Sequence, residues 1–159
     1  MRNVEYTIDG TTIKGTVISK GETFEAEAKL CPGDAYSETA GKLIVKYRLE
    51  VMQRKRDLEN TNEVIERLQT IQKTEEKIKP KSKVSKHWMR FIQDACEERK
   101  SQLENISFAK AMVKILGSCG STRVEDMIRA IIASHYTDER KSALIIALVK
   151  SMDCTTKND

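Results

Sequence analysis

The hydrophobic period of this chain changes once, from two to between three and four, across Cys31-Pro32-Gly33-Asp34. A strand turns alternate side chains to opposite faces, whereas a helix returns to one face every three or four residues. The change predicts a sheet before it and helices after it. On the sheet side, Val4, Tyr6 and Ile8 alternate with Glu5, Thr7 and Asp9. Asp9-Gly10 supplies residue types that accept positive φ in a tight hairpin turn. Ile13 and Val17 share one face with Gly15 between them, and Lys20-Gly21 makes the next turn. Phe24, Ala26, Ala28 and Leu30 then alternate with Glu25, Glu27 and Lys29. The expectation is a three-stranded antiparallel meander with one apolar face.

Past the turn, Ser37 or Thr39 is placed to cap a helix, because a hydroxyl accepts a bond from an orphan amide. No proline interrupts the chain from there to Lys79. Ile44, Tyr47, Val51, Leu58, Ile65 and Leu68 fall at steps of three, four or seven, one helical face. This helix is either continuous or broken at Asn60-Thr61-Asn62. Three strands need a partner over their apolar side, and Leu43 to Met52 is the natural cover. Residues 73–86, KTEEKIKPKSKVSK, combine charge, Pro80 and two serines and read as a solvated linker. Beyond it, Ser85 can cap a helix carrying Trp88, Phe91, Ile92, Ala95 and Cys96. A further helix holds Phe108, Ala111, Met112, Ile115 and Leu116 and ends at Gly117. Thr122 and Glu125 make a capping box before Met127, Ile128, Ile131 and Ile132. Asp138 caps a last helix with Ala143, Leu144, Ala147, Leu148 and Met152. The predicted class is α+β: a βββα module with a long helix over 1–72, a basic linker over 73–86, and a bundle of about four helices over 87–159.

Composition narrows the function. Of 159 residues, 39% are hydrophobic and 33% charged, enough for a core and a large solvated surface. The net charge of +4 is uneven: the first 41 residues carry about −3 and residues 42–86 about +6. That asymmetry can attract nucleic acid or an acidic protein face, although double-stranded DNA binders commonly carry a stronger basic stripe. The four cysteines, Cys31, Cys96, Cys119 and Cys154, form no C-x-x-C pair. Zinc sites favour close ligand pairs, so reduced thiols are expected, with no metal or cofactor. Met1 to Gly10 is a polar alternating segment unlike a signal peptide. The longest apolar stretch, Ala143 to Val149, is too short to span a bilayer. A cytoplasmic protein without membrane association is expected.

The candidate chemistry is thin. The segment Gly117 to Thr122, GSCGST, lacks the lysine and the preceding strand of a phosphate-cradling loop. Cys119 would be a nucleophile only if a base such as His135 folded back to it. His87 and His135 are the only histidines, and no H-E-x-x-H spacing occurs. No catalytic residue is assigned, and a non-enzyme is expected. Glu25 and Glu27 share one strand face, roughly 7 Å apart; such a pair can hold a cation or serve hydrolysis, and is more often a solvated outer face. Lys46, Arg48, Arg54, Lys55 and Arg56 form a basic run, with Arg48 and Lys55 on one side of the helix. With Lys77, Lys79, Lys81, Lys83 and Lys86 they can neutralise phosphates, while Glu50, Asp57 and Glu59 weaken the field through local pairs. Trp88, Arg90 and Phe91 offer an aromatic anchor for a partner, or core packing along one stripe.

The stretch from Ile13 to Leu49, which ends in AKLCPGDAYSETAGKLIVKYRL, resembles a module of small phage and prophage accessory proteins: hairpin strands, a C-x-x-D turn, then a helix opening with a glycine, here Gly41. The charged helix and helical bundle that follow are similar in style to anti-defence proteins of phages infecting low-GC bacteria, the type II-A anti-CRISPR proteins first among them. That resemblance implies a non-enzymatic inhibitor in the host cytoplasm that binds a defence nuclease such as Cas9 by protein–protein contact. That group shares no motif, so the resemblance assigns no residue. The residues themselves nominate Glu25, Glu27, Lys46, Arg48, Arg54, Lys55, Arg56 and Trp88 for partner contact. Two alternatives stay open: a nucleic-acid-binding phage accessory factor using the basic middle, and an oligomeric sponge for a cyclic-nucleotide signal. A homodimer is also open, since a long amphipathic helix pairs with its own copy as readily as with a bundle.

Overall fold

A computed structural model describes residues 4–29, 37–78, 83–119 and 122–153, with the side chains of 83–86, 119 and 150–153 outside the description. Three strands, β1 (Glu5–Asp9), β2 (Thr12–Ser19) and β3 (Glu22–Lys29), precede four helices. These are α1 (Glu38–Ile78), α2 (Lys83–Cys119), α3 (Val124–Ala133) and α4 (Asp138–Asp153). The class is α+β, and the sheet is the expected antiparallel meander in the order β1-β2-β3. Lys20 and Gly21 both take positive φ, 52° and 81°, between Ser19 and its partner Glu22. That is the primed geometry whose twist matches the strands it joins. In the first hairpin Asp9 is the last strand residue and Gly10, at φ 57°, opens the two-residue loop. The Cys31-Pro32-Gly33-Asp34 turn lies outside the described residues, as does Leu30.

The chain forms two compact units, residues Met1–Val51 with Phe108–Asp159, and residues Met52–Ser107. The expected division at 73–86 is therefore corrected. Residues 73–78 continue α1 and residues 83–86 begin α2. Lysine, glutamate and glutamine are good helix formers, so charge alone does not unwind the chain. Likewise no glycine or proline separates Cys96 from Phe108. The two helices expected there are one, and the described residues of 87–159 hold three helices rather than about four. Nor does Asn60-Thr61-Asn62 break α1: the Thr61 hydroxyl donates back to the Asp57 carbonyl at 2.9 Å, a bond compatible with the helix.

In the first unit the opening turns of α1 are a middle layer. Ile13, Val17 and Ala28 of the sheet join Val45 and Leu49 in one core, as the cover predicted for Leu43 to Met52 requires. On its other side, Leu43, Ile44 and Tyr47 pack against a second core of Ala111, Met112, Ile115, Leu116, Met127, Ile131, Leu144 and Leu148. Close approach of helix to sheet rests on two glycines. A Cβ on Gly41 would lie 2.5 Å from Ile13 Cδ1, and one on Gly15 would overlap Val45 Cγ1.

Helix ends follow local chemistry. Ser37 Oγ accepts the Ala40 amide at 3.2 Å, one of the two expected caps. At α4 the cap is Thr137, whose hydroxyl accepts from the Arg140 amide at 3.4 Å, and Asp138 is the first helical residue instead. The expected Thr122 capping box does not form. The first helical bond of α3 runs from the Met127 amide to the Arg123 carbonyl, so Arg123 holds the cap position, without a side-chain capping bond. Gly117 lies inside α2 rather than beyond it.

Tyr47 stands edge-on to Phe108 with ring centroids 6.2 Å apart. Burial raises its pKa, and the Glu50 carboxylate adds to the rise. The fold therefore favours the neutral phenol. Its contribution is intact below the ordinary tyrosine value near 10 and is lost as pH climbs through the raised value. Thermal midpoints measured across alkaline pH should fall less steeply for Tyr47→Phe than for the parent chain. Equal slopes would show that Tyr47 ionises without opposing the fold.

Candidate partner-docking surface

Each nominated residue has a definite place. Glu25 and Glu27 are exposed on the side of β3 opposite the buried row of Ile13, Gly15 and Val17. They are not an isolated acid pair. Lys14 lies directly across from Glu27, and Thr16 separates Glu25 from Glu5. A cross-strand opposite charge is mildly stabilising and dilutes the field a cation would need.

Arg48 does something the sequence did not suggest. Its guanidinium donates to the backbone carbonyl of Glu27. The two-residue turn makes Ser19 and Glu22 a hydrogen-bonded pair, and alternation along the ladder then makes Lys14 and Glu27 a non-bonded one. The Glu27 carbonyl therefore points away from β2 toward the sheet margin, where Arg48 occupies it. Lys46, on the same turn of α1, is half-buried.

The rest of the basic run lies in the second unit and spreads around α1. Successive helical residues are turned by about 100°, so Arg54, Lys55 and Arg56 do not share a face. Arg54 is half-buried, Lys55 exposed, and Arg56 engages Glu59 at 3.3 Å.

That second unit is a helical hairpin made from α1 after Val51 and α2 before Phe108. Its seam has heptad spacing. Leu58, Thr61, Ile65, Leu68 and Gln72 of α1 are buried or half-buried, as are Trp88, Ile92, Ala95, Gln102 and Ile106 of α2. The register is keyed by a buried polar pair: Gln102 Nε2 donates to Thr61 Oγ1 at 3.1 Å and to Glu98 Oε1 at 3.1 Å. A polar pair at a core position specifies alignment at a cost in stability. Gln102 Oε1 and Trp88 Nε1 are buried without a hydrogen-bond partner among the described residues, which adds to that cost. Trp88 is thus mainly a seam residue, with its ring 6.1 Å from Phe91, and His87 stands edge-on to Phe91 at 4.8 Å.

Either side of the seam, large apolar side chains are left uncovered. Met89 and Leu103 of α2 are 57% and 45% exposed, with exposed Cys96 between them at heptad spacing. By the Thr61–Gln102 register, this row borders Lys55, Asn62, Gln69 and Glu76 of α1. Val64, Ile71 and Ile78 of α1, with Phe91 of α2, lie toward the other side. Apart from Phe91 and Cys96, none of these was singled out from sequence; the steps of seven from Met89 to Leu103 and from Val64 to Ile78 were the available signal.

No protein-family model, curated protein or solved structure matches this chain. Among the described residues, no three histidine, cysteine, aspartate or glutamate side chains gather as metal ligands. No described helix is long and apolar enough to cross a membrane. His135 is exposed in the bend after α3, and the Cys119 side chain, Gly120 and Ser121 lie outside the description.

Proposed function

We propose that this chain is a non-enzymatic binding protein that docks a partner protein on the helical hairpin, with a Cas9-type host nuclease as the partner. The observation that carries the reading is the exposed row Met89, Cys96 and Leu103, bordered by the polar residues Lys55, Asn62, Gln69 and Glu76. An apolar strip with a polar rim is the usual anatomy of a protein–protein contact, and a merely solvated helix would carry charge there. The choice of nuclease comes from the resemblance to anti-CRISPR proteins. Bound in this way, a stiff hairpin blocks nucleic-acid access or holds a nuclease domain in one arrangement.

A nucleic-acid role for the basic segment ranks behind, because Arg48 is engaged by the Glu27 carbonyl and Arg54, Lys55 and Arg56 point in different directions around α1. Immobilised chain should retain Cas9, with or without guide RNA, at micromolar protein. Leu103→Asp should weaken retention at least about tenfold, the scale of one lost anchor. No retained complex overturns the nuclease reading. Retention of duplex DNA that collapses with salt and with Arg54, Lys55 and Arg56 all changed to Ala would replace it with the nucleic-acid one.

A further inference from the structure

The other side of the hairpin carries Val64, Ile71, Ile78 and Phe91, which are 48%, 41%, 70% and 45% exposed. In an antiparallel pair keyed by Thr61 opposite Gln102, Ile71 and Phe91 stand at nearly one height. They form the centre of an apolar patch to which α1 contributes Val64, Ile71 and Ile78 and α2 contributes Phe91, with exposed Glu98 one heptad further along α2. Two helices alone bury one stripe each, so a further patch of this size needs a cover.

We infer that this patch is where two copies of the chain meet, forming a two-fold four-helix bundle. The charges at its margins argue for a second copy over an unrelated protein. One margin, on α1, carries Arg67; the other, on α2, carries Asp94, about 3 Å along the axis from the same height by helical rise. A two-fold axis parallel to the hairpin sets α1 of one copy against α2 of the other. Each Arg67 then faces an Asp94, each Ile71 faces a Phe91, and Thr74 falls opposite His87. A patch flanked by opposite signs on its two helices is complementary to itself, whereas flanks of one sign would repel. The existing partner of Arg67, Glu63 at 3.4 Å, is no obstacle: both side chains are largely exposed, at 77% and 62%, and such a pair is weak. The contact of His87 with Phe91 steadies the central ring for the second copy.

The inference uses the same hairpin as the proposed function but its opposite side, so the two fail separately. Sedimentation equilibrium of the full chain at tens of micromolar should give twice the 18.1 kDa chain mass. Phe91→Glu should return it to the single-chain mass with unchanged helical circular dichroism. Arg67→Asp should weaken the dimer about tenfold or more, the scale of a like-charge clash, and adding Asp94→Arg should restore it. A wild-type chain that stays single at these concentrations overturns the inference, as does a double exchange no tighter than Arg67→Asp alone. Capture of Cas9 by such a single chain leaves the proposed function standing, and a dimer that captures none removes that function instead.

Discussion

Gly15→Ala is expected to lower the stability of the folded chain by about 1–3 kcal/mol, the cost of forcing extra volume into a packed core. Elsewhere in a strand the same change would help, because glycine is worse than alanine there by about 0.5–1 kcal/mol. The sign therefore reports whether the contact is as tight as described. At Gly15 a Cβ would overlap Val45 Cγ1 and come within 3.3 Å of Val4 Cγ1 and 3.4 Å of Leu49 Cδ1. Val45 and Leu49 are wholly buried on the middle layer, so neither can swing into solvent. Relief requires α1 to withdraw from the sheet, which loosens both cores that Ile44 joins. Urea unfolding should also show that Val45→Ala added to Gly15→Ala costs less than the two changes summed, since the overlapping methyl is gone. A Gly15→Ala chain as stable as the parent would mean that helix and sheet do not meet as closely as this.

Ile131→Ala should cost more, about 2–5 kcal/mol, for deleting buried carbons that the surroundings only partly refill. Ile131 and Met127 are the buried residues of α3, a ten-residue helix without a side-chain cap. Isolated helices below about 12–15 residues are marginal in water, so packing holds this one. Denaturant unfolding would measure the global loss. Hydrogen exchange should show α3 amides losing protection before those of α4. A loss below about 1 kcal/mol would place Ile131 outside the core that supports the helices.

The meander and its cover were legible because strict alternation leaves one apolar face and only Leu43 to Met52 follows closely enough to hide it. The unit boundary was not. Lysine and glutamate are as much at home on a solvated helix as in a solvated coil, so the composition of 73–86 could not separate the two. Glu25, Glu27, Lys55 and Arg56 were readable as surface residues. Arg48 was read the same way, but its bond to a carbonyl 21 residues earlier is invisible without the fold. The pairing of Thr61 with Gln102 spans 41 residues and was missed for the same reason. Ile71 and Phe91 look like core in one dimension. Only the knowledge that two helices pair there leaves both without cover.

The guanidinium at the Glu27 carbonyl also bears on what the sheet can become. Endless fibre growth by strand stacking requires that both margins of a sheet accept newcomers. Here the β3 margin has an acceptor already taken, while β1 keeps its outward backbone groups at Tyr6 and Ile8. Accretion through β3 would therefore have to displace that guanidinium or leave one ladder bond unmade, so the two margins of the smallest layer are unequal as templates.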